Sequence, residues 1–333
     1  MVKLTEVKTL NAALLAESGR RSLVGVFLGG TSGIGHMTAR ALASTAQQAG
    51  SAPPRIYLVG RSEQRGEEIV EELRELCPAG TYRFVRAADL SLMACVDEVC
   101  AEITRLEGRE EEPRIDYLMT SQGVLYFNRV KLPATVVSVF AAGFEDEKKL
   151  FRDDLSLRDL QRYSYIQVRS HLCYMHSMYM SKLAEMHAAD NNKQLRLVHI
   201  FPGLVLTPAF HNPTYPAWFR FLFNRILAPF FLAPFIAVNP IESGERMLSL
   251  ASPALYPAGT NSSAESQKGG TVKGMDGRPG SGAYSLDWKG NDAHNKKVYA
   301  KYDDDGIEAL KKQVWEHTNK AFEVIAAGKP FTE

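Results

Sequence analysis

The chain has 333 residues, of which 45% are hydrophobic and 23% charged, and its formal net charge is +1. This length can bury one large core or two small ones, and the composition is that of a globular protein, which excludes the disordered and fibrous classes. The balanced charge and a pI of about 7.7 give no indication of nucleic-acid binding or of an acidic partner.

Cysteines, histidines and the first residues exclude further classes. The four cysteines form no C-x-x-C pair and no disulfide framework, so we expect reduced thiols in a cytoplasmic protein. The eight histidines have no metal-ligand spacing, so no metal site is predicted. Residues 1–7 mix acidic, basic and apolar side chains and do not resemble a signal peptide.

The first strand and the turn after it carry the main functional signal. An apolar run, Leu23–Leu28, ends in a glycine-rich turn, Gly29–Gly35, and a helix is predicted over 36–49. This order of elements can hold a dinucleotide pyrophosphate, because a helix N-terminus offers unpaired N–H groups and glycines allow close approach. The alternative is a glycine-rich loop in a generic α/β protein. The spacing is G-x-x-x-G-x-G, with residues Gly29, Thr31, Ser32, Gly33, Ile34 and Gly35.

This turn resembles the cofactor loop of the short-chain dehydrogenase/reductase family, in which three glycines wrap the pyrophosphate and a Ser or Thr steadies it. The resemblance covers about residues 20–250 and is closest to a divergent fungal branch, often found in secondary-metabolite pathways, with an eroded Tyr-x-x-x-Lys signature. It implies an α/β fold: a single NAD(P)-binding, Rossmann-type domain over 1–333 with a doubly wound parallel sheet.

The second and third strands, predicted at 55–60 and 82–87, lead to two cofactor candidates. Arg61 follows the second strand, where an acid would bind the ribose of NAD. A guanidinium matches a 2′-phosphate instead, so NADP(H) is favoured over NAD(H); the alternative is a solvated surface arginine. Asp89 and Leu90 follow the third strand and resemble the family's acidic position beside the adenine. Asp89 could equally cap the next helix.

The connection between the fourth and fifth strands, predicted at 115–119 and 136–140, is short. Of the family's Asn-Asn-Ala-Gly after the fourth strand, only Gly123 is retained. Segment 124–135 contains Pro133 and shows no helical period, whereas a parallel crossover usually contains a full helix. We therefore expect the family's helix here, with its active-site asparagine, to be missing. Either the strands are joined unusually, or the chain is a shortened product of its gene.

The catalytic candidates lie on the fifth strand and on a helix predicted over 166–189. Ser138 resembles the family's catalytic serine. In the family a tyrosine protonates the substrate oxygen and a lysine one turn later lowers the pKa of that tyrosine. Two registers compete here: Met178 at the tyrosine with Lys182, or Tyr174 with Met178 at the lysine. Spacing to the following Pro-Gly favours Tyr174, with Lys182 reaching back or a histidine supplying the charge. A pure packing helix is the alternative.

The remaining segments surround the expected site. Pro202, Gly203 and Thr207 resemble the family's loop against the nicotinamide carboxamide. An apolar stretch over 212–238, interrupted by prolines and arginines, is interpreted as a lid over a substrate pocket. Its part over 217–238 could instead be an interfacial membrane helix. Segments 141–164, 259–283 and 306–327 are predicted to be an inserted loop, a flexible loop and a C-terminal helix.

These features imply an NADP(H)-dependent oxidoreductase acting on a carbonyl or alcohol of an apolar small molecule, in keeping with secondary metabolism. The cofactor carries the redox chemistry; Ser138 holds the oxygen, Tyr174 protonates it, and Lys182 supports it. The alternatives are a catalytically impaired NADP(H)-binding sensor or scaffold, and a protein held at a membrane surface through 217–238. A second copy of the chain is the further partner considered.

Overall fold

The structure is a computed structural model. It describes residues 3–17, 21–121, 135–146, 150–188, 195–207, 216–232, 236–259, 271–295, 299 and 304–332.

Seven parallel strands form one sheet. They are β1 (Val24–Leu28), β2 (Arg55–Gly60), β3 (Thr81–Arg86), β4 (Tyr117–Thr120), β5 (Thr135–Val139), β6 (Arg196–Ile200) and β9 (Ala283–Leu286), with β7 (Leu204–Val205) and β8 (Ala237–Val238) pairing separately. The order across the sheet is β3-β2-β1-β4-β5-β6-β9. The order reverses beside β1, which is the switch point where doubly wound sheets bind ligands. The predicted Rossmann-type sheet is confirmed.

Helices cover both faces of this sheet. They are α1 (Leu4–Glu17), α2 (Gly33–Ala49), α3 (Glu63–Leu76), α4 (Met93–Glu107), α5 (Tyr165–Ala188), α6 (Ala217–Leu222), α7 (Pro240–Ser249) and α8 (Asp304–Ala326). One core contains residues of α1, α2, α3 and α7, and the opposite core contains residues of α4 and α5 with α8 packed against it. Strands buried on both faces account for the continuous apolar runs in the sequence.

The C-terminal helix α8 helps to cover the second face. Trp315 of α8 stacks on Tyr179 of α5, with ring centroids 4.8 Å apart, and packs against the core that includes Leu118 of β4 and Val136 of β5. Lys311 of α8 is nearly buried and its ammonium lies 2.5 Å from the Glu185 carboxylate of α5. An apolar contact and a partly buried ion pair therefore hold this helix in place.

The connection from β4 to β5 spans residues 121–134, of which the structure describes only Ser121. The predicted loss of a crossover helix therefore lies outside the described residues. The other crossovers between adjacent strands from β1 to β6 each contain a helix, and the shortest of these, α3, has 14 residues. The fifth strand itself begins one residue earlier than expected, at Thr135.

We expect Trp315→Ala to lower the free energy of unfolding by about 2 to 4 kcal/mol, because it removes the ring that stacks on Tyr179 and packs against the core. Urea denaturation followed by circular dichroism measures this change. The matched control is Trp218→Ala, whose side chain is exposed and whose effect should stay within about 0.5 kcal/mol. Equal effects of the two variants would contradict the assigned role of α8.

Candidate functional site

The turn after β1 follows a path that requires glycine. Gly29 and Gly33 have φ angles of 84° and 57°, in the left-handed region that favours glycine. The Gly29 N–H donates to the Val59 carbonyl of β2 over 3.0 Å, which ties the turn to the neighbouring strand. A Cβ on Gly35 would lie 2.8 Å from the Gly29 carbonyl oxygen. Helix α2 therefore starts directly against the turn.

The N-terminus of α2 has no side-chain cap. Ser32 is the N-cap residue with an extended backbone, and its side chain makes no capping hydrogen bond. The first N–H groups of any helix lack partners within that helix and carry the positive end of its dipole. A glycine-lined turn with these donors fits an anionic diphosphate. Ile34 in the first turn is partly buried and packs on the core beneath.

The loop after β6 lies over this turn. A Cβ on Gly33 would lie 3.0 Å from Cγ2 of Thr207, so the Pro202–Thr207 loop contacts the glycine turn directly. Gly203 has a φ of 74°, and a Cβ there would lie 2.8 Å from Val238 of β8. The two sequence elements that resemble the cofactor loop and the nicotinamide loop are thus brought together.

The end of β2 also contacts the glycine turn. We call the space around this turn, at the carboxyl ends of β1, β2 and β3, the cofactor cleft. Thr31 packs against Gly60 at the end of β2, since a Cβ on Gly60 would lie 2.5 Å from its side chain. Arg61 and Asp89 are both exposed. Hydrogen bonds from Ser91, with a smaller contribution from the charge of Arg61, hold the pKa of Asp89 below its usual value. Asp89 therefore stabilises its own turn, and the alternative that it caps the next helix is wrong, because the N-cap residue of α4 is Leu92.

Two further cofactor candidates are Leu90 and Gly123. Leu90 is buried in the core between the sheet and α4. Gly123 lies outside the described residues. Ser121, just after β4, donates from its N–H and its Oγ to the Leu28 carbonyl, so the chain leaves β4 bound to the end of β1.

Ser138 is fully buried within β5. Its neighbours in register are Thr120 of β4 and His199 of β6. Among the residues that the structure describes, its hydroxyl has no hydrogen-bond partner. An unsatisfied buried hydroxyl is costly, and the neighbouring Thr120 hydroxyl is in the same state.

A buried hydrogen-bond chain that sequence reasoning missed lies between the sheet and α5. The Ala141 N–H donates to Nε2 of His199, so Nδ1 carries the ring proton and donates to Oγ of Ser177 over 3.1 Å. Ser177 in turn donates to Oε1 of Glu145 over 2.9 Å. Burial keeps the pKa of His199 well below its usual value and raises the pKa of Glu145. These hydrogen bonds fix the segment after β5 to α5.

Tyr174 lies beside this chain and is fully buried. Its ring meets that of Tyr299 edge-on, with centroids 5.7 Å apart, in a small core with Leu155 and residues of α8. The Tyr299 hydroxyl reaches Oε1 of Glu145 at 3.5 Å. Tyr174 therefore belongs to the packing between α5, α8 and the segment after β5.

Lys182 is not beside Tyr174. It lies eight residues later on α5, about 12 Å further along the helix axis at 1.5 Å per residue. Its ammonium is 3.3 Å from Glu185 and 3.8 Å from Glu308 of α8. The structure therefore places Lys182 in an ion-pair cluster with the C-terminal helix.

A second cationic side chain, that of Arg169, lies near the end of β6. The guanidinium of Arg169, in the first half of α5, lies 4.0 Å from the ring centroid of Phe144 and 5.9 Å from that of Phe201. Phe201 directly precedes Pro202. No local motif in the sequence singles out Arg169. For His199 there is a signal, because it is a lone polar residue in the apolar run of β6.

Comparisons with known proteins find oxidoreductases among the relatives of this chain. No family model matches the chain. An oxidoreductase of Emericella nidulans is 34% identical, with 96% of this chain and 97% of that protein aligned. A short-chain dehydrogenase/reductase of Stachybotrys chartarum is 29% identical, with 96% and 97% aligned. These alignments extend over 350 and 357 positions, more than the 333 residues of the chain, so each relative carries residues that the chain lacks.

A solved structure was also found. The 3-oxoacyl (acyl-carrier-protein) reductase of Agrobacterium tumefaciens, with NADP bound, is 18% identical and superposes with a TM-score of 0.46 over 74% of this chain and 90% of that chain.

We expect Gly35→Ala to weaken dinucleotide binding by about tenfold or more, equivalent to about 1.4 kcal/mol, because the new Cβ would collide with the Gly29 backbone and displace the turn. Fluorescence titration with NADPH measures the dissociation constant. The control is Gly50→Asn at the other end of α2, where φ is 58° and a Cβ meets nothing within 4 Å; Asn tolerates this conformation. Unchanged affinity in Gly35→Ala would remove the turn from the binding site.

Proposed function

Because the chain belongs to the short-chain dehydrogenase/reductase family, we propose that it is an NADP(H)-dependent oxidoreductase. Its reaction is reversible hydride transfer between the nicotinamide and a carbonyl or alcohol carbon of an apolar small molecule, in keeping with a role in secondary metabolism. The observation that carries this proposal is the glycine turn at an uncapped helix N-terminus with Thr207 lying over it.

The cofactor would be held by the residues around that turn. The first N–H groups of α2 and the hydroxyls of Thr31 and Ser32 would bind the pyrophosphate, since they supply donors and the positive end of the helix dipole. Arg61 would bind a 2′-phosphate at the end of β2, because a guanidinium matches phosphate geometry. The Pro202–Thr207 loop would lie against the nicotinamide. When bound, NADP(H) supplies the hydride, and the protein orients and polarises the substrate.

The proposed groups at the reacting oxygen are Ser138 and Tyr174. Ser138 would hold the oxygen with its otherwise unpaired hydroxyl, and Tyr174 would donate the proton. Lys182 is separated from Tyr174 by two helical turns and is paired with acidic residues, so any help it gives would be indirect. Arg169 lies nearer to the Pro202 loop and is the cation that we propose to face the reaction centre.

A second candidate function is binding of NADP(H) without turnover, as a sensor or scaffold. The complete burial of Tyr174 in a packed core favours it. The two functions differ in one measurement, the steady-state oxidation of NADPH in the presence of a panel of apolar ketones and aldehydes. Turnover supports the enzyme. Tight binding of NADPH without turnover across the panel supports the scaffold, and absence of binding contradicts both.

We expect Tyr174→Phe to lower kcat by about 100-fold or more, the usual loss on removing a general acid, with little change in NADPH affinity. The matched control is Tyr179→Phe on the same helix, whose hydroxyl bonds Asn319 of α8 and which should keep its turnover. Turnover within about twofold of the unaltered protein in Tyr174→Phe would assign this tyrosine to packing alone.

Arg61→Asp should shift the cofactor preference from NADPH toward NADH by about 10- to 100-fold, the range expected for loss of a charged hydrogen bond, since an acid repels the phosphate and can bind the ribose hydroxyl. The ratio of the two dissociation constants measures this. Arg74→Asp makes the same charge change in the last turn of α3 and should leave the ratio as it was. An unaltered ratio in Arg61→Asp would exclude a phosphate contact.

A further inference from the structure

Segment 216–232 presents a large apolar surface to solvent. Helix α6 continues directly into a π-helix, Phe223–Leu232. Trp218 is 68% exposed, Phe221 65% and Phe230 66%. Scattered exposed apolar residues are ordinary, but a contiguous patch of this kind marks an interaction site. We call the following residues the aromatic patch: Trp218, Phe221, Leu222, Ile226, Phe230, Phe231 and Ile236.

The opposite side of this segment is turned inward. Phe223 is buried, and its ring lies 5.8 Å from that of Phe219 one turn earlier. The segment therefore has an inner face that packs and an outer face that carries the patch. This division is the amphipathic pattern of a helix that lies at an apolar–polar boundary.

The charge of this region has one sign. The sequence holds no Asp or Glu from Asn191 to Ile241, although the chain contains 38 acidic residues in total. Arg220 and Arg225 lie within the helical segment that bears the patch, and Arg225 is exposed. Aromatic side chains with only positive charges among them complement an anionic lipid surface, because cations attract the headgroups while the rings enter the acyl boundary.

The patch lies on the surface and not within a spanning element. In the part of the chain that the structure describes, no helix has the length and hydropathy needed to cross a bilayer, and Pro229 lies inside the π-helix. Along the sequence the region lies between Thr207, which contacts Gly33, and Val238, which contacts Gly203. The patch is therefore flanked in sequence by two residues that contact the loops of the proposed cofactor site.

We propose that the aromatic patch binds the surface of an anionic membrane, with the rings inserted at the headgroup boundary and Arg220 and Arg225 paired with lipid phosphates or carboxylates. Docking in this way brings the cleft next to the bilayer. If the proposed redox function also holds, its apolar substrates would be taken from the lipid phase.

The test is co-sedimentation of the full chain with vesicles of phosphatidylcholine alone and of phosphatidylcholine with phosphatidylserine, without cofactor or substrate. The chain should bind the mixed vesicles, and added salt should weaken this binding. Trp218→Ser with Phe221→Ser should lower the partition coefficient by about tenfold or more for each ring removed. Arg220→Gln with Arg225→Gln should lower binding to the mixed vesicles by about fivefold per charge and leave phosphatidylcholine binding unchanged.

The matched control replaces two exposed apolar residues outside the patch, Leu160→Ser with Tyr163→Ser, and should bind as the unaltered chain does. Fluorescence gives a second readout, because brominated lipids should quench Trp218 and the quenching should disappear in Trp218→Ser, which keeps Trp288 and Trp315. All the substituted residues in the ring variant are exposed, so the variant should keep its folded circular dichroism spectrum.

Four outcomes would overturn the proposal. The unaltered chain could stay in the supernatant with both kinds of vesicle, or the ring variant could bind as well as the unaltered chain. A dimer that the ring variant converts to a monomer, without vesicle binding, would assign the patch to a second copy. A raised KM in the ring variant, without vesicle binding by either protein, would assign it to a substrate lid. Because the vesicle assay needs no turnover, a negative result would overturn the membrane proposal without bearing on the proposed redox function.

Discussion

The close approach of α2 to the turn after β1 is the constraint on which the site depends. Gly35 touches the Gly29 carbonyl, and Gly33 touches Thr207, so a side chain at either position would separate elements that must meet. The turn is also hydrogen-bonded to β2, which sets it at the sheet's switch point. One short backbone segment thus fixes where the helix N-terminus, the end of β2 and the loop after β6 lie relative to one another.

The segment after β5 is held by a buried chain of polar side chains in addition to backbone contact. His199, Ser177 and Glu145 come from β6, α5 and the segment after β5, and each bond leaves fewer polar groups unsatisfied in a low-dielectric core. This chain fixes the segment that follows Ser138. Ser177, in the middle of α5, bonds to His199 on one side and to Glu145 on the other.

The sequence allowed the sheet and the glycine turn to be predicted because both are local. Apolar runs bounded by breakers give buried parallel strands, and the spacing of Gly29, Gly33 and Gly35 is readable within seven residues. The surroundings of the proposed catalytic residues, in contrast, do not follow from local sequence. Lys182 matches the lysine of the family motif in the register that has Met178 at the tyrosine, yet the helix carries it about 12 Å from Tyr174. Arg169 and Glu145 gain their surroundings only from tertiary contacts, so no pattern in their own segments marks them.

The covering of β4 and β5 follows from a requirement of sheet proteins: an apolar face must be buried by another element. The link between these strands occupies residues 121–134. Trp315 and Lys311 bring α8 onto α5 and onto the core that contains Leu118 and Val136. The amphipathic pattern of α8 was visible in the sequence. The core on which α8 packs could not be predicted, because Trp315 and Leu118 are nearly two hundred residues apart in the chain. The same helix packs on Tyr174 through Leu310 and Val314. Helix α8 therefore covers the sheet and also buries the proposed proton donor. Any change that loosens α8 should alter the surroundings of Tyr174 as well.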